Sequence, residues 1–325
     1  MSPRMPDDAR PLYLYPDESN SMAVPATTRS AATLDRESTT VVRDYSRLAK
    51  PRAILPHLIT ASSAMFLAVK GVPPLHTLLL TLIGGGLVAA ASNTLNCYFD
   101  RELDGRMART RSRPLPAGRI TPQQALSFGI GIGAVGLLIL GEFVGLIAAI
   151  LAFIALLYYV FAYTLFLKSR APWNVLIGSG AGGLTPLIGW AAVTDRLAAT
   201  PFLLSAIIIL WTLPHFWSLA VFRRTDYEQA GINALPLKGV TVTTITCSVL
   251  LVAVSLWLVR AADLGFFYLG VASVLGAGFL YLAFQMSQRE RLSAARRFHS
   301  YSILYITFLF LAMIANEVVL TGGKV

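Results

Sequence analysis

The sequence predicts an all-α membrane protein with about nine transmembrane helices, and three observations carry that prediction. Only 14% of the 325 residues are charged and 55% are hydrophobic, with a mean hydropathy of +0.62; a soluble domain carries about 25% charge. Apolar stretches recur at or near the roughly 20-residue length that a helix needs to cross a bilayer. When nine such stretches are drawn as spans, 23 of the 27 Lys and Arg fall on one side of the membrane.

The windows run 54–70, 74–97, 123–141, 143–167, 173–194, 201–222, 240–259, 264–286 and 301–320. The first is short and holds Pro56 and His57. The second is mostly apolar until Asn96. The third follows "RPLPAG" (113–118), whose two prolines forbid a regular helix there. Connections on one side are brief: "KGVPP", "GE" and "RAAD". On the other side, 98–122 and 223–239 are long and polar. The basic excess lies on that second side with the N-terminus, so the positive-inside rule makes the N-terminus cytoplasmic and leaves the C-terminus outside. The net charge of +10 is thus a topology signal. Being split among five connections, it gives no reason to expect a nucleic-acid partner.

Residues 1–42 are rich in Pro, Ser, Thr, Asp and Arg, lack an apolar core, and read as a disordered cytoplasmic tail rather than a signal peptide. Residues 43–325 form one polytopic domain. Its halves, about 43–167 and 168–325, are repeat-like: spans 2 and 6 each lead into a long inner connection with acids and arginines, and Asp100 and Asp226 occupy similar places in the two. Sites at the interface of such repeats are a common membrane-protein arrangement. Cys97 and Cys247 lie far apart at or inside spans and suggest no disulfide framework. The small-residue runs "IGGG" (83–86), "GIGIGAVG" (129–136) and "GSGAGG" (178–183) predict close helix packing.

The polar ends carry the chemistry. Asn96, Asp100 and Asp104 are spaced i, i+4, i+8, which puts three oxygen-bearing side chains on one face if the helix continues past span 2. Hard divalent cations such as Mg²⁺ take such ligands together with phosphate oxygens, and acids near hydrocarbon are rarely idle. Asp104 taken singly also fits a helix end solvated by headgroups. Arg106, Arg109, Arg111 and Arg113 follow; guanidinium forks suit phosphate, and Arg109 and Arg113 are one turn apart if that segment is helical. Asp226, Arg223, Lys168 and Asn174 add to the same inner side. A diphosphate held by Mg²⁺ and cations, its hydrocarbon tail in the bundle, satisfies the whole pattern.

These residues also carry a resemblance. "NCYFDRELDGRMARTRSRPLPAGRI" (96–120) resembles the N-x-x-x-D-x-x-x-D signature of the UbiA superfamily of intramembrane prenyltransferases. "LAKPR" (48–52), "YTLFLKSRAPWNVLIGSGAGGLTPLIGW" (163–190), "HFWSLAVFRRTDY" (215–227) and "AGINALPLKG" (230–239) are similar to its haem-farnesylating branch. The resemblance implies a UbiA-like bundle with a central cavity open to the inner face, in the bacterial cytoplasmic membrane. It implies Asn96, Asp100, Asp104 and Asp226 as Mg²⁺-diphosphate ligands. Arg109, Arg113, Lys168 and Arg223 become diphosphate-side cations, with Asn174, His215 and Tyr227 also on the substrates. Position 230 is Ala where many members carry a second acid.

The implied reaction moves farnesyl from farnesyl diphosphate to a vinyl group of haem B, a substrate here rather than a cofactor. Downstream partners would be a haem A synthase or oxidase-assembly proteins. His215 fits two roles, a contact to haem iron or a hydrogen-bonded bundle histidine; His57 is a weaker candidate, and His76 and His299 read as interfacial. Phe99, Tyr159 and Tyr163 are aromatic candidates for steadying an allylic cation. Other superfamily members act on quinone-precursor or chlorophyllide acceptors, against which the "HFW…DYxxAG" stretch argues. A secondary transporter would share repeats and inner polar groups but would place them nearer the midplane.

Overall fold

A computed structural model of the chain describes residues 31–107, 109–167, 174–224, 240–288 and 292–321. The chain divides into two units, Met1–Val41 and Val42–Val325. Helix α1 (Ala31–Ala49) begins inside the segment whose composition reads as a tail, and residues 1–30 of that segment lie outside the described residues. The larger unit is all helical: α2 (Pro51–Val69), α3 (Leu75–Phe99), α4 (Arg101–Arg106), α5 (Pro122–Phe143), α6 (Leu146–Leu157), α7 (Asn174–Thr194), α8 (Ala199–Phe222), α9 (Val240–Ala261), α10 (Phe266–Gln288) and α11 (Leu292–Thr321). Seven of the described helices are long and apolar enough to cross a bilayer: α2, α3, α5, α8, α9, α10 and α11. Outward side chains such as Val274, Trp257 and Leu138 are exposed, as a lipid-facing surface requires.

Local signals set the helix ends. Lys50 takes the left-handed conformation (φ 54°, ψ 59°), and Pro51 then opens α2 at a position where its missing N–H is harmless. The window 54–70 is therefore the body of a 19-residue helix despite Pro56. Thr121 and Gln124 form a capping box on α5, with Pro122 next to the cap.

Two windows behave differently from expectation. Window 143–167 is not one α-helix: α6 has 12 residues and passes into a π-helical segment, Tyr158–Leu167. There the Thr164 hydroxyl donates to the Tyr159 carbonyl, five residues back, at 2.9 Å, in keeping with the wider turn. Window 301–320 is only part of α11, which starts at Leu292. His299 thus lies two turns inside a helix, and its half-buried ring stacks on that of His215.

Most of the packing among the described residues lies in two larger cores. Met65, Val88, Leu140, Ala148 and Ile188 fill one, from α2, α3, α5, α6 and α7. Tyr268, Phe279, Phe298, Tyr305 and Phe310 dominate the other, with Leu204, Ile207 and Leu251. Sequential neighbours pack throughout, and α2 touches both α7 and α11, which closes the arrangement. The Ser63 hydroxyl donates to the Phe310 carbonyl at 2.9 Å across that closure.

The small-residue runs make the close approaches. A Cβ at Gly136 would lie 2.7 Å from the Gly84 carbonyl oxygen and 2.9 Å from the Leu87 Cβ. At Gly189 it would overlap the Ala61 backbone, and at Gly180 it would press on the Tyr158 ring. Helices α3 and α5 can therefore touch only because a side chain is missing. Gly136→Ala should destabilise the protein by about 1–3 kcal/mol, read as a lowered melting temperature in detergent. Gly85→Ala is the control, with nothing within 4 Å of its Cβ, and should leave the melting temperature unchanged or slightly raised. Equal losses in both variants would refute this packing account.

Candidate active site

The C-terminal end of α3 carries the candidate site. Asp100 closes α3 and opens α4 with near-helical torsions (φ −83°, ψ 0°). Backbone bonds from Asp100 N to Asn96 O (2.9 Å) and from Asp104 N to Asp100 O (2.8 Å) keep the helical register through that junction. The continuation that the i, i+4, i+8 spacing requires is therefore present. All three side chains are buried: Asn96 is 6% exposed, Asp100 7% and Asp104 6%. Carboxylates withdrawn this far from water need compensating charge or hydrogen bonds.

The compensation is specific. Asn96 Nδ2 donates to Asp100 Oδ2 at 2.8 Å, and also reaches Thr164 Oγ1 at 3.3 Å. Lys50 Nζ donates to Asn96 Oδ1 at 3.0 Å. Arg113 Nη1 makes a 2.6 Å ion pair with Asp104 Oδ2. The long connection after α4 is folded down to deliver that arginine. Thr110, fully buried, donates from its hydroxyl to the Asp104 carbonyl at 2.8 Å. Leu115 and Ile120 anchor the connection in a small core with Leu48, Cys97 and Ala125. Arg119 Nε holds buried Asp44 at 2.8 Å, and its Nη2 reaches the Ser112 carbonyl.

Arg109 and Arg113 do not share a helix. Residues 109–119 form successive turns, because Pro114 and Pro116 deny a regular helix its backbone donors. Arg113 is drawn onto Asp104 while Arg109 stays exposed. Arg223 follows the last residue of α8, with its guanidinium over the Phe222 ring at 5.3 Å. Asn174 opens α7. Lys168, Asp226 and Tyr227 lie outside the described residues. Among the described residues no three of His, Cys, Asp and Glu gather as a metal cluster; the donor set is two carboxylates and one amide. A cavity of about 720 Å³ lies elsewhere, lined by Tyr281, Gln285, Gln288 and Arg297 among others.

His215 sits in α8 between two rings, stacked on Trp211 (centroids 4.4 Å apart) and on His299 (4.2 Å). His57 is 3.3 Å from the Thr185 hydroxyl. Residue-by-residue reading gave no role to Lys50, Thr164 or His299. Lys50 had a signal, since a lysine ahead of a proline at the mouth of a span sits where the chain breaks and a charge can reach a helix end.

Comparison with known proteins agrees with this architecture. The chain belongs to the UbiA prenyltransferase family, whose model matches residues 57–314. Over 86% of its length it is 43% identical to the protoheme IX farnesyltransferase of Symbiobacterium thermophilum, of which it covers 96%. The fold is also that of a structure reported for digeranylgeranylglyceryl phosphate synthase in membranes, with TM-score 0.71, 21% identity, and 85% and 98% of the two chains covered. A UbiA homolog from Archaeoglobus fulgidus bound to GPP and Mg²⁺ aligns with TM-score 0.63 at 18% identity, covering 84% of this chain and 99% of that one.

Two substitutions probe the site. Asp100→Asn keeps an oxygen for Asn96 Nδ2 but removes the charge, so prenyl transfer should fall at least about 100-fold with the melting temperature nearly unchanged. A turnover near wild type would exclude Asp100 from the diphosphate site. Lys50→Met should raise KM for the prenyl diphosphate about tenfold, the loss of one charged contact, with a smaller effect on kcat. An unchanged KM would assign Lys50 to structure alone.

Proposed function

We propose that this chain transfers the farnesyl group of farnesyl diphosphate to a vinyl group of haem B, with addition of water, giving haem O and diphosphate. The observation that carries the proposal is the 43% identity to a protoheme IX farnesyltransferase over nearly the whole of both chains. The buried Asn96–Asp100–Asp104 face supports it with donors suited to a metal–diphosphate head. The donor set consists of hard oxygens, which fits Mg²⁺. Asn96, Asp100 and Asp104 would hold that ion, with Asp226 as a further acid. When bound, Mg²⁺ neutralises charge on the diphosphate leaving group.

The chain's own residues do the rest. Lys50, Arg109, Arg113, Lys168 and Arg223 bind and orient the diphosphate, and stabilise the negative charge that grows as the farnesyl C–O bond breaks. Arg113 also holds the Asp104 carboxylate in place through their 2.6 Å ion pair. Apolar helix faces exclude water from the allylic cation until the vinyl π electrons attack it; water then captures the resulting cation as the hydroxyl. Asn174, His215 and Tyr227 belong to the substrate side of the cavity. The protein works as a multi-pass protein of the bacterial cytoplasmic membrane, N-terminus and site inside, and hands its product to a haem A synthase or oxidase-assembly proteins.

Membranes from a host expressing the chain should yield haem O on extraction, identified by the added mass of one farnesyl and one hydroxyl group, which turn a vinyl into a hydroxyethylfarnesyl side chain. With purified protein, its formation should require farnesyl diphosphate, haem B and Mg²⁺ together. Prenyl transfer to an aromatic acid with no modified haem would overturn the acceptor assignment and leave the family intact.

A further inference from the structure

Helices α10 and α11 form a hairpin that is close-packed along one part and open along another. In the packed part the Phe279 ring meets those of Phe298 and Tyr305, with centroids 4.9 and 4.8 Å away. The Tyr301 hydroxyl donates to the Leu275 carbonyl at 2.9 Å, and a Cβ at Gly278 would collide with the Tyr301 phenol. Nearer the turn a cavity of about 720 Å³ opens between the two helices. Ser293 and Ala294, which α11 offers there, are too small to fill it. Membrane helices otherwise pack closely, and a volume of this size suits a ligand.

The lining changes character along the hairpin. Tyr281, Gln285 and Gln288 recur at i, i+4 and i+7 on one face of α10, and Ser293 and Arg297 at i, i+4 on α11. Gln288 ends α10 and Leu292 begins α11. Two amides, a hydroxyl and a guanidinium thus gather toward the turn, while Tyr281 lies about 10 Å farther along α10. Tyr281 and Phe284 are more than half exposed on the surface that meets hydrocarbon. No described lining residue is acidic, and among the described residues Arg297 takes part in no ion pair. Its neighbour Arg296 is turned to another helix, over the Phe222 ring at 6.0 Å. The connection between the helices adds two arginines against one glutamate, Arg289, Glu290 and Arg291.

A cavity with an aromatic wall open to the bilayer, a donor-rich end and an unmatched cation is complementary to an anionic amphiphile. Basic pockets between membrane helices hold lipid headgroups in this way. We infer that the α10–α11 groove binds one anionic phospholipid, with its phosphate on Arg297 and an acyl chain along Tyr281 and Phe284. Gln285, Gln288 and Ser293 supply further donors to the headgroup. The occupant is a lipid rather than a soluble anion because the aromatic wall faces the bilayer, where lipid is the solvent. The groove is lined by none of the residues of the Asn96–Asp100–Asp104 site.

The test uses the full chain, delipidated in detergent and titrated with phosphatidylglycerol or with phosphatidylcholine of the same chains, followed by native mass spectrometry. One phosphatidylglycerol should bind about tenfold more tightly than phosphatidylcholine, the worth of one charged contact. Arg297→Gln should abolish that preference. Arg260→Gln, which removes an exposed arginine near the end of α9, should keep it. A Ser293→Cys variant should react with maleimide more slowly in phosphatidylglycerol than in phosphatidylcholine; the native Cys97 and Cys247 are buried. Equal affinity for the two lipids, or a preference that survives Arg297→Gln, overturns the inference. Release of the bound lipid by inorganic phosphate or by farnesyl diphosphate also overturns it, and gives the groove to a soluble anion or to the prenyl donor. Should Arg297→Gln fail to fold, the Ser293→Cys label decides: a reactivity that phosphatidylglycerol leaves unchanged rules the lipid out.

Discussion

Two carboxylates withdrawn from water at the C-terminal end of one apolar helix dictate much of what surrounds them. Asp100 and Asp104 are each under a tenth exposed, and charge in such a place is tolerated only where it is matched. The groups that meet this face come from distant parts of the chain: Arg113, from the connection after α4, pairs with Asp104, while Lys50, from the break before α2, and Thr164, from the π-helical segment, bond to Asn96. The connection after α4 is folded, anchored and pinned to Asp44 because an arginine must be delivered to Asp104. Without the acids there would be little reason for that connection to be ordered.

Under the proposed reaction Lys50 and Arg113 would have a second use in the same place. In the resting chain Arg113 pairs with Asp104, and Lys50 donates to the Asn96 amide oxygen. An incoming diphosphate with its metal would present charges of both signs, and on that reading the cations would turn to the phosphate oxygens while the carboxylates turn to the metal, so that net charge in the low-dielectric site changes little on binding. Preorganisation of this kind lets electrostatic stabilisation act on the leaving group without large reorganisation.

Much of the helical plan was legible in the sequence because the bilayer enforces long apolar runs and basic inner connections. The Asn96–Asp100–Asp104 register was legible for a similar reason: a spacing of four has one helical meaning, and the backbone bonds through Asp100 honour it. What escaped the reading depends on tertiary contacts or on a change of helical pitch. Nothing in "YYVFAYTLFL" signals a π-helix, so Thr164 was not placed beside Asn96. Window 301–320 began late because Arg296 and Arg297 dilute the apolar count, which left His299 outside the window although the helix includes it. The paired spacing of Arg109 and Arg113 failed as a guide because it presumed a helix where two prolines impose turns.

The π-helical stretch has a consequence for aim. A π turn holds more residues than an α turn, so residues beyond it face away from where an unbroken α-helix would point them. Thr164 thereby comes within 3.3 Å of Asn96 Nδ2 while α6 keeps its packing on α7. The helix thus joins a half that grips its neighbours to a half turned toward the candidate site.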